Sequence, residues 1–303
     1  MRDLFAAELR ASLRGEVLEN EPLAGHTSLK VGGPADWFAI PADRDDLLGL
    51  LALATRTETP VLVVGGGYNL LVRDGGFRGM VISLARLGKV ERLAGSMIRV
   101  EAGLDNRELV RFCRQEELAG VEFLGMIPGT VGGALAVNAG AHGSSVMELV
   151  ERLFTWCGGQ MREWDGTQRS FGYRYHRLAE GEVIVAAELG LSPGDTRAID
   201  RLLEVYREHR QASQQVGFPN AGSFFKNPAG TEAWRLIEAA GLRGARVGGA
   251  QVSEVHCNFL VNRGGATAGD FLELAGMIKQ RVSVGSGIML EEEVKIVGED
   301  TVI

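Results

Sequence analysis

From residue 41 the chain alternates between stretches whose apolar residues recur at helical spacing and short apolar runs. Residues 41–58, PADRDDLLGLLALATRTE, set leucines on one face behind acidic residues, the pattern of a capped amphipathic helix; after Pro60 the run VLVV at 61–64 predicts a strand. Helix, strand and glycine loop in that order make an α/β unit. A second helix is predicted from Asp105 to Leu118, opened by a capping-box-like Asp105 and Glu108 and closed before Gly120. The flanking runs MIRVEAG (97–103) and GEVIVAAELGL (181–191) alternate like half-buried strands of a mixed sheet. At 192–213 the pattern changes to a long charged helix introduced by Pro193, Gly194 and Asp195, and a domain boundary is placed just before it. Beyond it lie a helix capped by Thr231 and ended by Gly241, a second helix over 267–282, and the strand-like IMLEEEVKIVG at 288–298.

Length and composition narrow the class. At 303 residues, 45% apolar and 23% charged, the chain is expected to be a multidomain soluble enzyme. Its first residues mix acidic and basic side chains without a continuous apolar core, which is unlike a secretory signal, so the expected location is the cytoplasm, with no insertion into a membrane. Cys113, Cys157 and Cys257 are odd in number and form no CxxC, which supports neither a disulfide framework nor a metal site. A net charge of −7 argues against a nucleic-acid partner. Because the chain favours arginine over lysine, Lys226 stands out as less than casual.

The 42 glycines are about twice ordinary usage, and they cluster, at 31–34, 63–81, 124–143 and 241–253. Residues 65–70 fail the dinucleotide fingerprint: Gly65 and Gly67 supply GxG, but Leu70 stands at the third glycine position and no helix follows. A nicotinamide-binding Rossmann domain is disfavoured. Glycine loops still let backbone approach a ligand closely and let successive N–H groups form an anion nest, so two such loops suggest a bound pyrophosphate. On spacing alone, closely packed turns explain them equally well.

Seven segments in one order carry a family resemblance: HTSLKVGGPADWF (26–38), VVGGGYNLLV (63–72), GMIPGTVGGALAVNAGAHG (125–143), FGYRYH (171–176), AGSFFKNP (221–228), HCNFLVN (256–262) and LEEEVKIVG (290–298). The chain resembles the UDP-N-acetylenolpyruvoylglucosamine reductases of peptidoglycan synthesis over nearly its whole length, in the shorter subtype without the extra tyrosine loop. The resemblance implies an α+β protein: a vanillyl-alcohol-oxidase (PCMH) type FAD-binding module of two α/β subdomains plus an α+β substrate-binding domain. The module would span 1–192, split near 82 and completed by 288–303, with the substrate domain at 193–287. By the same likeness Gly65, Gly66, Gly67, Tyr68, Asn69, Leu70, Gly129, Thr130, Gly132, Gly133, Asn138, Ala139 and Gly140 would bind FAD.

In that family NADPH reduces FAD and a hydride then reaches the enolpyruvyl group, so the site must stabilise an enolate and protonate the adjacent carbon. Motif match makes Ser223 the proton donor, with Arg174 and Glu293 at the carboxylate. Glu293 helps as a hydrogen-bond donor only when protonated. Lys226 and Asn227 are assigned to the substrate's diphosphate or carboxylate region and Asn258 to the nucleotide, with no metal, and the protein is expected to act as a monomer. Taken singly, Ser223 reads as a turn residue, Arg174 as a surface ion pair and Glu293 as one more strand glutamate; their joint appearance favours the site. His142 and His176 replace the family's usual tyrosine and its serine or threonine, and read as structural histidines. The rival readings are a flavin oxidase of the same fold and a nucleotide-sugar binding protein without flavin.

Overall fold

The computed structural model describes residues 2–214 and 216–301. The chain divides into two compact units, each with its own apolar core: 1–19, 37–66 and 79–208 form the first, and 20–36, 67–78 and 209–303 the second. This division differs from the expected one. Residues 20–36, 67–78 and 288–303 group with 209–287, and the cut falls after the long helix Thr196–Gln214 has begun, not at 192. Residues 302 and 303 lie outside the described residues.

In the first unit the expected helix over 41–58 is Arg44–Arg56, with Asp43 accepting from the Asp46 N–H at its N-terminus. Strand Val61–Val64 pairs in parallel with Met80–Ser83. A five-stranded antiparallel sheet has the spatial order Gln160–Asp165, Val150–Cys157, Val183–Gly190, Met97–Glu101, Val90–Arg92. The helix expected from Asp105 to Leu118 spans Asn106–Gln115. Asp105 caps it through the Arg107 N–H, but Glu108 closes no box because its carboxylate pairs with Arg111 instead. Leu118–Ala119 pairs antiparallel with Ser192–Pro193.

The second unit is built on a four-stranded antiparallel sheet ordered Asn220–Ser223, Phe259–Asn262, Ala250–Val252, Arg246–Val247, covered by the helix Ala268–Ser286. Thr267 and Asp270 form that helix's capping box, and Asp74 accepts from the N–H groups of Ala268 and Gly269. Two expectations change here. Thr231 does not cap the next helix, Ala233–Ala239, whose first N–H is taken by the Asn227 side chain at 3.0 Å; Gly241 does follow its end with φ +69°. Of 288–298 only Lys295–Val297 is a strand, parallel to Leu70–Val72. The three cysteines are free and buried, and burial with the nearby Glu122 and Glu116 pushes the Cys113 thiol up to about 12. No described helix is long and apolar enough to cross a membrane.

Candidate functional site

Strand Val61–Val64 delivers the first glycine loop to the surface of the first unit, where Gly65 and Gly66 are exposed. A Cβ on Gly65 would stand 2.2 Å from Thr130 Oγ1, so the two predicted glycine loops touch with no room for a methyl group. Gly132 is equally constrained: its N–H donates to the Ala102 carbonyl at 2.7 Å, and a Cβ there would stand 2.7 Å from Ala102 Cβ. Close packing therefore explains these two glycines without a ligand. Gly129 turns the second loop at φ +124°, its carbonyl accepting from the Asn106 N–H. Gly133 is exposed, and a Cβ there would meet Thr130 Oγ1 only at an ordinary 3.5 Å, so Gly65, Gly66 and Gly133 present bare backbone beside Thr130. Backbone without side chains suits a flat, phosphate-bearing cofactor, and these residues fit FAD.

Residues 67–70 belong to the second unit. Gly67 has φ +64°, and a Cβ there would stand 2.1 Å from the His26 carbonyl oxygen. Tyr68 is exposed, Leu70 opens the strand that pairs with Lys295, and the Asn69 amide donates to the Glu293 carbonyl at 3.2 Å.

Arg174 stands at the tip of a two-residue hairpin, Phe171–Gly172 against Tyr175–His176, with a left-handed φ of +52° that holds the chain in a strained turn. Two bonds tie this hairpin to residues 138–140. Arg174 Nη1 donates to the Gly140 carbonyl at 2.8 Å, and Asn138 Nδ2 donates to the Gly172 carbonyl at 2.8 Å. Asn138 is itself left-handed at φ +45° and buried, and its Oδ1 accepts from the Met147 N–H. Its amide thus holds the loop, and Ala139 beside it is also buried. Tyr173 lies 5.4 Å from the guanidinium, in cation–π range.

The two unusual histidines are both structural in their contacts. His176 is buried, its Nδ1 bonded to the Leu135 carbonyl at 2.9 Å, so its Nε2 accepts from Arg169 Nε at 3.1 Å. Burial pushes this imidazole below its ordinary value; the Leu135 bond opposes that and the Arg169 charge reinforces it. Arg169 also forms a buried ion pair with Glu182 at 3.0 Å. His142, left-handed at φ +54°, stacks on Tyr206 with ring centroids 3.8 Å apart. Neither Arg169 nor Tyr206 stood out in the sequence, because no local pattern marks a partner 13 or 64 residues away.

Ser223 is not in a turn. It ends a strand, opposite Phe259, with Gly222 at φ +76° donating to the Asn220 side chain one step before it. Its partly exposed side chain lies next to two buried rings, Phe224 and Phe225, in edge contact at 5.2 Å. Glu293 is brought to the same segment: its N–H donates to the Phe224 carbonyl at 2.8 Å. Its neighbours are engaged elsewhere, Glu292 with Lys279 at 2.9 Å and Glu291 with the exposed Lys226 at 3.3 Å. The structure therefore brings Ser223, Glu293, Lys226 and Asn69 together in the second unit, while Arg174 belongs to the first. Asn258 is 2% exposed and both ends of its amide bond Phe225, at 3.0 and 2.8 Å, so it faces the protein and not the surface. Asn227 keeps one amide end on the helix it caps.

Across its length the chain is 61% identical to the UDP-N-acetylenolpyruvoylglucosamine reductase of Geobacter metallireducens, with 99% of this chain and all of that protein aligned. The chain belongs to the UDP-N-acetylenolpyruvoylglucosamine reductase family. The reductase of Methylococcus capsulatus is 47% identical over 97% of both chains. Residues 35–157 match the FAD binding domain, and residues 213–297 match the C-terminal domain of UDP-N-acetylenolpyruvoylglucosamine reductase. The crystal structure of the Thermus caldophilus reductase superposes with a TM-score of 0.79 at 34% identity, covering 94% of this chain and 99% of that one. Alkyldihydroxyacetonephosphate synthase, at 17% identity and TM-score 0.50 over 63% of this chain, shares the fold alone. The expected α+β architecture with a vanillyl-alcohol-oxidase type flavin module is thus the fold of this reductase family member.

Proposed function

We infer that the chain reduces the enolpyruvyl group of UDP-N-acetylglucosamine enolpyruvate to UDP-N-acetylmuramate in peptidoglycan synthesis, with FAD as cofactor and NADPH as co-substrate. Its full-length likeness to reductases of that name supports this reading and leaves the oxidase and the flavin-free binding protein without support. We further propose that it acts as a cytoplasmic monomer, flavin being held by Gly65, Gly66, Gly67, Tyr68, Asn69, Leu70, Gly129, Thr130, Gly132, Gly133, Asn138, Ala139 and Gly140.

FAD, when bound, would supply the hydride that reaches the terminal carbon of the enolpyruvyl double bond. The new C–H bond pushes an electron pair into the substrate carboxylate, giving an enolate that the residues around it must stabilise. We assign that charge to the Arg174 guanidinium, which is held by the Gly140 carbonyl on one side, and to Glu293 in its protonated, hydrogen-bond-donating form. The Ser223 hydroxyl gives its proton to the adjacent carbon, and solvent returns one to the serine oxygen. A free serine is a weak acid, so the enolate's own basicity drives the step. Lys226 and Asn227 are assigned to the substrate's diphosphate or carboxylate; the burial of Asn258 argues against a nucleotide contact for it. The observation that carries the serine assignment is the Glu293 N–H to Phe224 carbonyl bond, which joins two of the three motif residues in one corner.

Anaerobic half-reactions test it. In Ser223→Ala, NADPH should bleach the flavin at the normal rate, while reoxidation by the enolpyruvyl sugar nucleotide should slow by about 10²- to 10⁴-fold, the usual worth of a general acid. A colourless protein, or one whose bleached flavin ignores that nucleotide, overturns the function; normal reoxidation in the variant overturns the role of Ser223.

A further inference from the structure

We propose that Asn258 is a positioning residue, a side-chain extension of the sheet that fixes the Ser223 strand against residues 291–294. The inference rests on the reading of Ser223 as proton donor. The strand pairing beside Ser223 is irregular: Asn220 faces Val261 but Ser223 faces Phe259, so three steps on one strand oppose two on the other. Such a bulge bends the chain and breaks the ladder. Gly222 supplies the bend with φ +76°, its N–H turned back to Asn220 Oδ1 at 2.9 Å.

Past the bulge the ladder does not resume between backbones alone. The Phe224 N–H donates to the Asn258 carbonyl at 2.7 Å. At the next residue the Asn258 side chain takes over: its Oδ1 accepts from the Phe225 N–H at 3.0 Å and its Nδ2 donates to the Phe225 carbonyl at 2.8 Å. A carboxamide carries the same donor and acceptor as a peptide unit, so one side chain satisfies both groups of Phe225. On the opposite edge the Phe224 carbonyl accepts from Glu293, and the Lys226 N–H donates to the Glu291 carbonyl at 2.9 Å. Residues 224–226 are therefore a middle strand with Asn258 on one side and the Glu293 segment on the other.

Phe224 and Phe225 are 1% and 0% exposed, so the strand cannot tilt without moving two core rings. Aspartate at 258 keeps an acceptor for the Phe225 N–H but sets a second acceptor against the Phe225 carbonyl; alanine leaves both groups bare. Glutamine is a methylene too long to reach both. What the amide sets is the place of the Ser223 oxygen relative to Glu293.

The test compares flavin-loaded Asn258→Ala and Asn258→Asp with Ser223→Ala, using the enolpyruvyl sugar nucleotide as probe. Bleaching by NADPH should stay near the wild-type rate, while saturated reoxidation in Asn258→Ala should slow by about 10- to 100-fold, the size of effect a misplaced reacting group produces. Asn258→Asp should fall between alanine and wild type, and the solvent deuterium effect on reoxidation should rise in both. Amide exchange followed by mass spectrometry should quicken over 223–226 and stay unchanged in the first unit. A raised KM with a normal saturated rate would make Asn258 a nucleotide contact and overturn the inference. Equal loss of both half-reactions in both variants would make it a fold residue only and overturn it as well. Normal reoxidation in Asn258→Ala beside slow reoxidation in Ser223→Ala sinks the positioning role and leaves the serine standing; normal reoxidation in Ser223→Ala sinks both.

Discussion

Two corners of the molecule hold the proposed chemistry, and they are built by opposite means. The Arg174 corner is a strained turn: Arg174 and Asn138 are both left-handed, and the hairpin stands on the buried Arg169–Glu182 pair through His176. The Ser223 corner is a sheet, with no left-handed residue at 223, 258 or 293 and a glycine taking the one sharp bend. Each has a buried asparagine whose amide is taken up inside the chain, but Asn138 joins two distant segments whereas Asn258 closes both groups of one residue. A cationic side chain at a hairpin tip needs an external brace; a hydroxyl on a strand inherits its position from the ladder.

The largest expected effect tests the brace. Arg169→Gln leaves the Glu182 carboxylate buried without its partner and should cost about 3–5 kcal/mol in denaturant unfolding. A loss below about 1 kcal/mol, the level of a surface pair, would break the contrast between the corners.

Backbone strain comes next. Asn138→Ala strips partners from the Gly172 carbonyl and the Met147 N–H and should cost about 2–4 kcal/mol. Asn138→Gly should recover about 1 kcal/mol of that, because φ is +45° there. At Asn258, which is not left-handed, glycine should be no better than alanine. Equal behaviour at the two sites would erase the distinction.

Acid should then draw on both corners. Burial holds His176 and His256 below the ordinary imidazole value of 6.5, and His256 Nδ1 accepts from the Asn258 N–H at 3.3 Å. The unfolded chain takes up each proton first, so their contribution is complete above about pH 6.5 and is lost as pH falls below it, by up to about 1.4 kcal/mol per pH unit for each histidine. Melting temperature against pH should flatten by one proton's share in His176→Gln and again in His256→Gln; an unchanged slope in either would show that histidine charging without cost.

The smallest effect is expected at Glu291→Ala. The Lys226 pair is exposed, so stability should move by less than about 0.5 kcal/mol. A larger loss, read from the same unfolding curves, would mean the pair braces the Ser223 strand.

Much of this was legible beforehand because it is local. Val61–Val64 and the helices near 44–56 and 268–286 follow from short-range apolar spacing and capping residues. The helix at 233–239 shows where local reading fails: Thr231 looked like its cap, but a side chain from outside the helix, Asn227, reached the free N–H. Residues 288–294 read as strand-like in the sequence, yet only Lys295–Val297 forms a strand, while Glu292 makes an isolated antiparallel bridge to Phe225. Glycine counts announced close approach at 65 and 132 without saying whether to ligand or to protein; Thr130 and Ala102 answer for these two.

By itself the sequence determined the family and the flavin and named the candidate reacting side chains, since these depend on which residues occur in which order along motifs that local chemistry constrains. The tertiary structure decided what those residues touch. Asn258, Asn138 and Asn69 carry the same amide and differ only in which backbone groups the fold brings within about 3 Å of it, a matter of long-range pairing that no window of sequence contains.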